Sequence, residues 1–353
     1  MIEIDGAYGE GGGQILRMAV ALAALAKEPV RVFNIRAGRR PPGLKAQHLA
    51  AIRAVARVSG GRLDGDRIGS KEIVFYPGTP RGGSFSIDIG TAGSVTLVLQ
   101  ALIPAALFAS DQVVVRIRGG TDVAWSPPFD YFDKVFVHAL RLFGADVGLR
   151  LVRRGFYPKG GGLVEARIKP IDRLRPVVLK ERGQVVAITG ISYSAGLPSH
   201  IVERMARSCA STLEEAGYPS PRIERRMHRL GSESGSVGCG IVVWADTESG
   251  VRLGGSALGV KGKSAEQVGK EAALSLLVEL ASNAPVDSHL ADMLVAYTAL
   301  ADGVSEVVCS RITKHVVSAV YVAERILGVK FEIEGGEGSL GRYRVRGCGR
   351  TRA

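Results

Sequence analysis

The chain has 353 residues, 46% hydrophobic and 23% charged, with a formal net charge of +12 and a pI of about 9.7. Length and apolar content suit two or three packed domains and exclude a disordered polymer, and no apolar run reaches the roughly 18 residues of a membrane-spanning helix. Four scattered cysteines (Cys209, Cys239, Cys309, Cys348) without a CxxC pair point to neither a zinc site nor a disulfide framework. The basic excess favours polyanionic partners, with Arg36, Arg39, Arg40 and Lys45 clustered in one stretch and Arg222, Arg225, Arg226 and Arg229 in another. The opening residues Met1 to Gly6 read as a strand and turn rather than a signal peptide, so the expected location is the cytoplasm, away from membranes.

The predicted elements repeat along the chain. A strand ending at Asp5-Gly6 passes through Gly11-Gly12-Gly13 into an apolar helix over 14–25. A strand over 30–35, a helix over 44–59 and paired strands at 62–63 and 73–76 follow. The pattern then recurs: strand Ile87-Asp88-Ile89, loop Gly90 to Ser94, helix over 95–107, strand over 113–117, helix over 131–143, strands over 146–152 and 162–168. Asp5 maps to Asp88 and Gly38 to Gly120, a period of about 82 or 83 residues. A shorter third copy closes the chain: helix over 290–300, strand over 304–308, helix over 313–327, strands over 329–334 and 342–345. Strands alternating with helices of 3.6-residue period argue for α/β layering, an α/β (α+β) fold of three βαβαββ-type units that bury their helices together. Residues 183–285 leave the repeat register. Strands over 185–194 and 238–245 and helices over 200–216 and 264–281 predict a smaller α/β domain inserted between copies two and three. The expected division is 1–182 with 286–353, and 183–285.

Four motifs could carry chemistry. In Asp5-Gly6-Ala7-Tyr8-Gly9-Glu10-Gly11-Gly12-Gly13-Gln14, glycines between a strand and a helix start let backbone amides approach an anion. It is neither a Walker loop nor a dinucleotide fingerprint, and Glu10 would repel phosphate unless a divalent cation lay between them. The Gly336 to Gly341 stretch matches G-x-G-x-x-G but lies between strands, a hairpin loop. The basic stretch from Arg36 to His48 carries arginines suited to phosphate oxygens, with His48 a packed or hydrogen-bonded helix residue. In His289-Leu290-Ala291-Asp292-Met293, His289 and Asp292 share a helix face. His315 opens the last long helix, where the dipole disfavours imidazolium and attracts phosphate, so a neutral imidazole there is a candidate nucleophile; a satisfied structural histidine is the alternative.

Together these stretches, with Gly90 to Gln100, Gly119 to Asp122 and Gly155 to Gly162, resemble the RNA 3′-terminal phosphate cyclases over essentially the whole length. The resemblance implies three βαβαββ repeats plus an inserted domain, and a ligase that uses ATP and a divalent metal, Mg or Mn, to convert RNA 3′-phosphate ends to 2′,3′-cyclic phosphates. It implies a covalent histidine–AMP on His315 and an RNA-adenylate anhydride. By position it places Glu10 at the metal. Arg17, Arg36, Arg39 and Gln47 fall at nucleotide or RNA phosphates, and Gln100, His289, Leu290, Ala291, Asp292 and Met293 in the ATP pocket. Where some members have Tyr or Gln, this chain has His289 and Met293. Two rivals share the architecture: a cyclase-like branch in ribosome assembly and RNA processing that lacks the nucleophilic histidine, and the enolpyruvyl transferases, which form no covalent histidine adduct.

Overall fold

A computed structural model describes residues 1–352. The first unit runs β1 (Ile2–Asp5), α1 (Gly13–Ala26), β2 (Val30–Phe33), α2 (Ala46–Ser59), β3 (Arg62–Asp64) and β4 (Ile73–Tyr76). Its sheet order is β1-β2-β4-β3, with β1 parallel to β2 and the remaining pairs antiparallel. Every residue of α1 from Gln14 to Leu25 is buried, because the helix lies among other helices rather than on a solvated face. Unit two repeats the plan with β5 (Gly83–Asp88), α3 (Val95–Leu107), β6 (Val113–Gly119), a helical stretch, β7 (Val147–Arg153) and β8 (Gly162–Ile168), in the order β5-β6-β8-β7. The helical stretch is α4 (Phe129–Tyr131), a π turn (Phe132–Val137), α5 (His138–Leu140) and a 3₁₀ turn (Arg141–Phe143).

The third unit is not shortened. A two-residue strand, β9 (Val178–Leu179), lies ahead of residues 183–285 and pairs parallel with a strand far downstream, as β1 pairs with β2. Within 183–285 lie β10 (Val185–Ala195), α6 (Ser199–Glu215), β11 (Arg222–His228), β12 (Gly238–Thr247), β13 (Arg252–Leu258) and α7 (Ala265–Ala281). The unit then resumes with α8 (Ser288–Leu300), β14 (Val304–Cys309), α9 (Lys314–Leu327), β15 (Phe331–Glu334) and β16 (Gly341–Arg346), giving the order β15-β16-β14-β9. The inserted segment therefore interrupts unit three between its first strand and first helix, instead of falling between units two and three.

The inserted sheet has the order β11-β10-β12-β13, and its central strands are covered on both faces while the edge strand β11 stays largely exposed. Side chains alternate along β12: Ile241, Val243 and Ala245 join a cluster with α6 and α7, while Val242 and Trp244 join the main core. On β10, Ile191, Tyr193 and Ala195 also face the main core. Fully buried Arg154 locks the seam. It pairs with Asp122 at 3.0 Å and Asp130 at 2.5 Å, donates through Nε to His228 Nε2 at 3.0 Å, and lies 3.6 Å from the Tyr193 ring centroid. Burial and then Arg154 hold His228 below the ordinary histidine pKa, consistent with the accepting role of its ring nitrogen. The second basic cluster dissolves in this setting. Arg225, Arg226 and Arg229 of the β11 region pair with Glu203, Glu224 and Glu233, so that run carries little free charge for phosphate.

Candidate active site

Three helix N-termini meet where α1, α8 and α9 begin. Thr313 caps α9, its hydroxyl accepting from Val316 N–H at 3.2 Å, and Asp287 caps α8, accepting from His289 and Leu290 N–H. The positive end of each dipole points toward the same region, but the first amides of α8 are already taken, Ser288 N–H by Glu279 at 3.0 Å and His289 and Leu290 N–H by Asp287. The α2 start closes the group. His48 Nδ1 accepts from Lys45 N–H at 3.1 Å, and its Nε2 rests on Gly13, where a Cβ would collide with the imidazole. Glycine is required there by that close approach. His48 is packed and hydrogen-bonded, as read from sequence, with its pKa lowered to about 3 by burial and then by the charges of Arg17, Arg36 and Lys45.

At the centre a relay orients His315. Its Nδ1 lies 2.9 Å from Gln14 Oε1, and Gln14 Nε2 donates to Asp292 Oδ1 at 3.3 Å. With the amide nitrogen turned to the carboxyl group, Gln14 offers only its oxygen to the imidazole. Nδ1 therefore carries the proton and Nε2 keeps a lone pair. Burial, then the charges of Arg17, His289 and Arg39, hold the His315 pKa below its ordinary value, which favours that neutral form. Asp292 is pushed up to about 8 by burial, with Arg17 opposing and Asp287 adding to the shift. Arg17, one turn into α1, is buried and donates to Gln100 Oε1 at 3.2 Å; burial lowers it to about 10, still cationic at neutral pH.

The other predicted residues divide. Arg39 is at the rim in an ion pair with Glu10, whose backbone N–H donates to Ser318 Oγ at 3.1 Å. Arg36 is turned inward: Nη1 donates to the carbonyls of Pro41 at 3.0 Å and Gly43 at 2.8 Å, so that nitrogen braces the basic loop rather than standing open to a phosphate. Gln47 Oε1 accepts from Ser94 N–H at 3.1 Å and ties the α2 start to the loop before α3. On α8 the helical period separates the predicted pocket residues. His289 is exposed with its ring edge-on to Tyr131, and Asp292 shares its face, but Leu290 and Ala291 are fully buried on the core side. Their side chains pack into the core, as the 100° step per residue requires, so any part they take in the nucleotide segment falls to the backbone. Met293 lines a cavity of about 30 Å³ with Arg17, Gln100 and Asp292, which has room for a water but not for a base.

Gln14 is the residue the sequence reading missed. Its signal was its position directly after the glycine triplet, at the first turn of the anion-facing helix. Among the described residues no group of three or more His, Cys, Asp or Glu side chains is arranged to hold a metal. Glu10 alone offers a carboxylate at the rim, a donor set that suits a cation shared with substrate phosphates and water rather than caged by protein. No helix among the described residues is long and apolar enough to cross a membrane.

A family model described as RNA 3′-terminal phosphate cyclase matches residues 8–333. Curated proteins named RNA 3′-terminal phosphate cyclase are similar over nearly the full length. One from Pyrococcus furiosus is 47% identical, covering 98% of each chain. One from Staphylothermus marinus is 46% identical, covering 99% of each. One from Archaeoglobus fulgidus is 49% identical, covering 94% of this chain and 98% of the relative.

Proposed function

The chain belongs to the RNA 3′-terminal phosphate cyclase family, and we propose from that membership and the relay at His315 that it is an ATP-dependent ligase closing RNA 3′-phosphate ends into 2′,3′-cyclic phosphates. The single observation that carries the reading is the Asp292–Gln14–His315 relay at converging helix starts, which supports a neutral imidazole with a free Nε2 lone pair where phosphate would gather.

The steps balance as three substitutions at phosphorus. His315 Nε2 attacks the α-phosphorus of ATP; an N–P bond forms, the bond to the β-phosphate bridging oxygen breaks, and pyrophosphate leaves. An oxygen of the RNA 3′-phosphate then attacks the same phosphorus, the N–P bond breaks, and AMP becomes a leaving group on the RNA end. The neighbouring 2′-oxygen, losing its proton, attacks the 3′-phosphorus and releases AMP. The 2′-oxygen is already adjacent, so proximity supplies much of the last step. Arg17 and Arg39 hold phosphate charge, and the starts of α1 and α9 face it. Glu10 is the group that would hold a divalent cation; when bound, the cation would offset charge on the α-phosphate. His289 and Asp292 border the nucleotide. We further propose that 1–182 with 286–353 forms the catalytic body and 183–285 a docked accessory domain, with action in the cytoplasm.

The test is covalent labelling with α-labelled ATP and a divalent metal. His315→Ala should lose the label and cyclisation while keeping its fold. The label should be acid-labile and alkali-stable, as for phosphorus on nitrogen. Label persisting in the variant would place the nucleophile elsewhere.

A further inference from the structure

Trp125 is 99% exposed, its backbone is in the left-handed region at φ 65°, and it follows the β6 end by a few residues. A bulky residue seldom adopts that conformation, and a fully solvated indole contributes nothing to a core. A second aromatic, Tyr157, is 77% exposed on the turn ahead of β8. The two loops are neighbours: Thr121 and Asp122 N–H donate to Gly155 O, and Asp122 bridges Phe156. Both abut the loop before α3. Gly120 N–H donates to Gly93 O at 2.8 Å, and a Cβ on Gly160 would lie 2.8 Å from Ala92 Cα.

That loop is continuous with the candidate site. Ser94 is held by Gln47, the neighbour of His48. Pro127 O accepts from Thr96 Oγ1 at 2.8 Å, and Thr96 lies one helical turn before Gln100, the partner of Arg17. Exposed Lys159 beside Tyr157, and exposed Arg40 and Lys45 across the α2 start, have no carboxylate partner within 4 Å among the described residues. The two aromatics thus flank the phosphate region on the unit-two side, with cations along the approach, whereas the nucleotide segment of α8 belongs to unit three.

We propose that Trp125 and Tyr157 form a stacking platform for the unpaired nucleosides that immediately precede the 3′-phosphate, with Lys159 and the Arg40–Lys45 stretch following the RNA backbone. The proposal rests on the RNA-end reading given above. Every base has a π face, so such a platform accepts RNA ends of any sequence, and the cations supply a salt-dependent component of binding.

The test uses single-stranded oligoribonucleotides ending in 3′-phosphate. Trp125→Ala and Tyr157→Ala should each raise the KM for RNA in cyclisation by roughly 5- to 150-fold, and Trp125→Phe should recover most of the loss. Labelling by ATP without RNA reports the nucleotide side separately. With Trp244 buried, Trp125 is the one exposed tryptophan of the two, so RNA should quench fluorescence in the wild-type chain and not in Trp125→Phe. An oligonucleotide abasic at its last two positions should bind the wild type more weakly and the double alanine variant no worse than the intact RNA does. An unchanged RNA KM, or a KM effect confined to ATP, would overturn the platform. Loss of cyclisation in the wild type with Trp125-dependent RNA binding retained would instead sink the activity and leave the platform standing.

Discussion

Replacing Gln14 by Met removes both hydrogen bonds of the relay at nearly constant volume. The structure predicts two separable effects. As Nε2 bonds to phosphorus the imidazole gains positive charge, and the Nδ1–H bond to Gln14 Oε1, 2.9 Å in the resting protein, becomes charge-assisted. Hydrogen bonds to charged groups contribute about 1.5–3 kcal/mol, so self-adenylation should slow roughly 10- to 150-fold. Stability should change less. Asp292 loses its amide donor, but burial already favours its protonated form, which removes the need to solvate a bare carboxylate. The assay is single-turnover labelling with saturating α-labelled ATP, paired with thermal unfolding. A full labelling rate in a folded Gln14→Met protein would refute the assignment of the relay to catalysis, and a collapse of stability with no rate loss per folded molecule would make Gln14 a packing residue only.

Two further outcomes follow from the same geometry. Asp292→Asn should stabilise the fold increasingly as pH rises. The folded carboxyl keeps its proton to about 8, above its unfolded value, so the wild type loses stability between about pH 4 and 8 while Asn does not. The difference should grow by up to about 1.4 kcal/mol per pH unit in that window, and denaturant unfolding at several pH values checks it; a difference constant with pH would contradict the burial argument. Arg39→Ala should weaken ATP or RNA-end binding by about 1–3 kcal/mol, with Arg40→Ala doing much less at the ATP step. KM measurements for both substrates decide this, and equal, negligible effects would remove the rim pair from the phosphate site.

The repeat was legible because each unit carries the same local signals. A helix-period apolar run follows a glycine loop after an acidic strand end, at Asp5 and again at Asp88. The first strand of unit three was not legible for the opposite reason. β9 is two residues long, and its partner Glu306-Val307 lies more than a hundred residues downstream, so no local period announces it. Arg222 to Arg229 read as a phosphate cluster because composition counts charges without their partners: Glu203 becomes a neighbour only in the folded sheet, and Glu233, four residues after Arg229, pairs with it across a turn. On α8 the motif was visible as a run of five residues, and the structure adds the helical rotation that turns the Leu290 and Ala291 side chains into the core. Gln14 escaped because an uncharged amide gives no electrostatic signal. Its role exists only through His315, three hundred residues away, and Asp292.

The site has to satisfy two demands that usually conflict. A triphosphate and an RNA phosphate need cations, whereas a histidine nucleophile must be uncharged. In this chain one set of groups serves both. The charges of Arg17 and Arg39 that would bind phosphate also disfavour a proton on His315, adding to burial in lowering its pKa. The helix starts act in the same direction. The remaining requirement, that the single imidazole proton sit on Nδ1 rather than Nε2, cannot be met by a cation, which would leave that proton without an acceptor. A carboxylate in direct contact would accept it but raise the pKa again. An amide does neither harm: Gln14 accepts from Nδ1, carries no charge, and is itself held by Asp292 from the far side. That is the physical reason for an amide between the carboxyl group and the nucleophile, and for its place in the first turn of the helix that faces the phosphates.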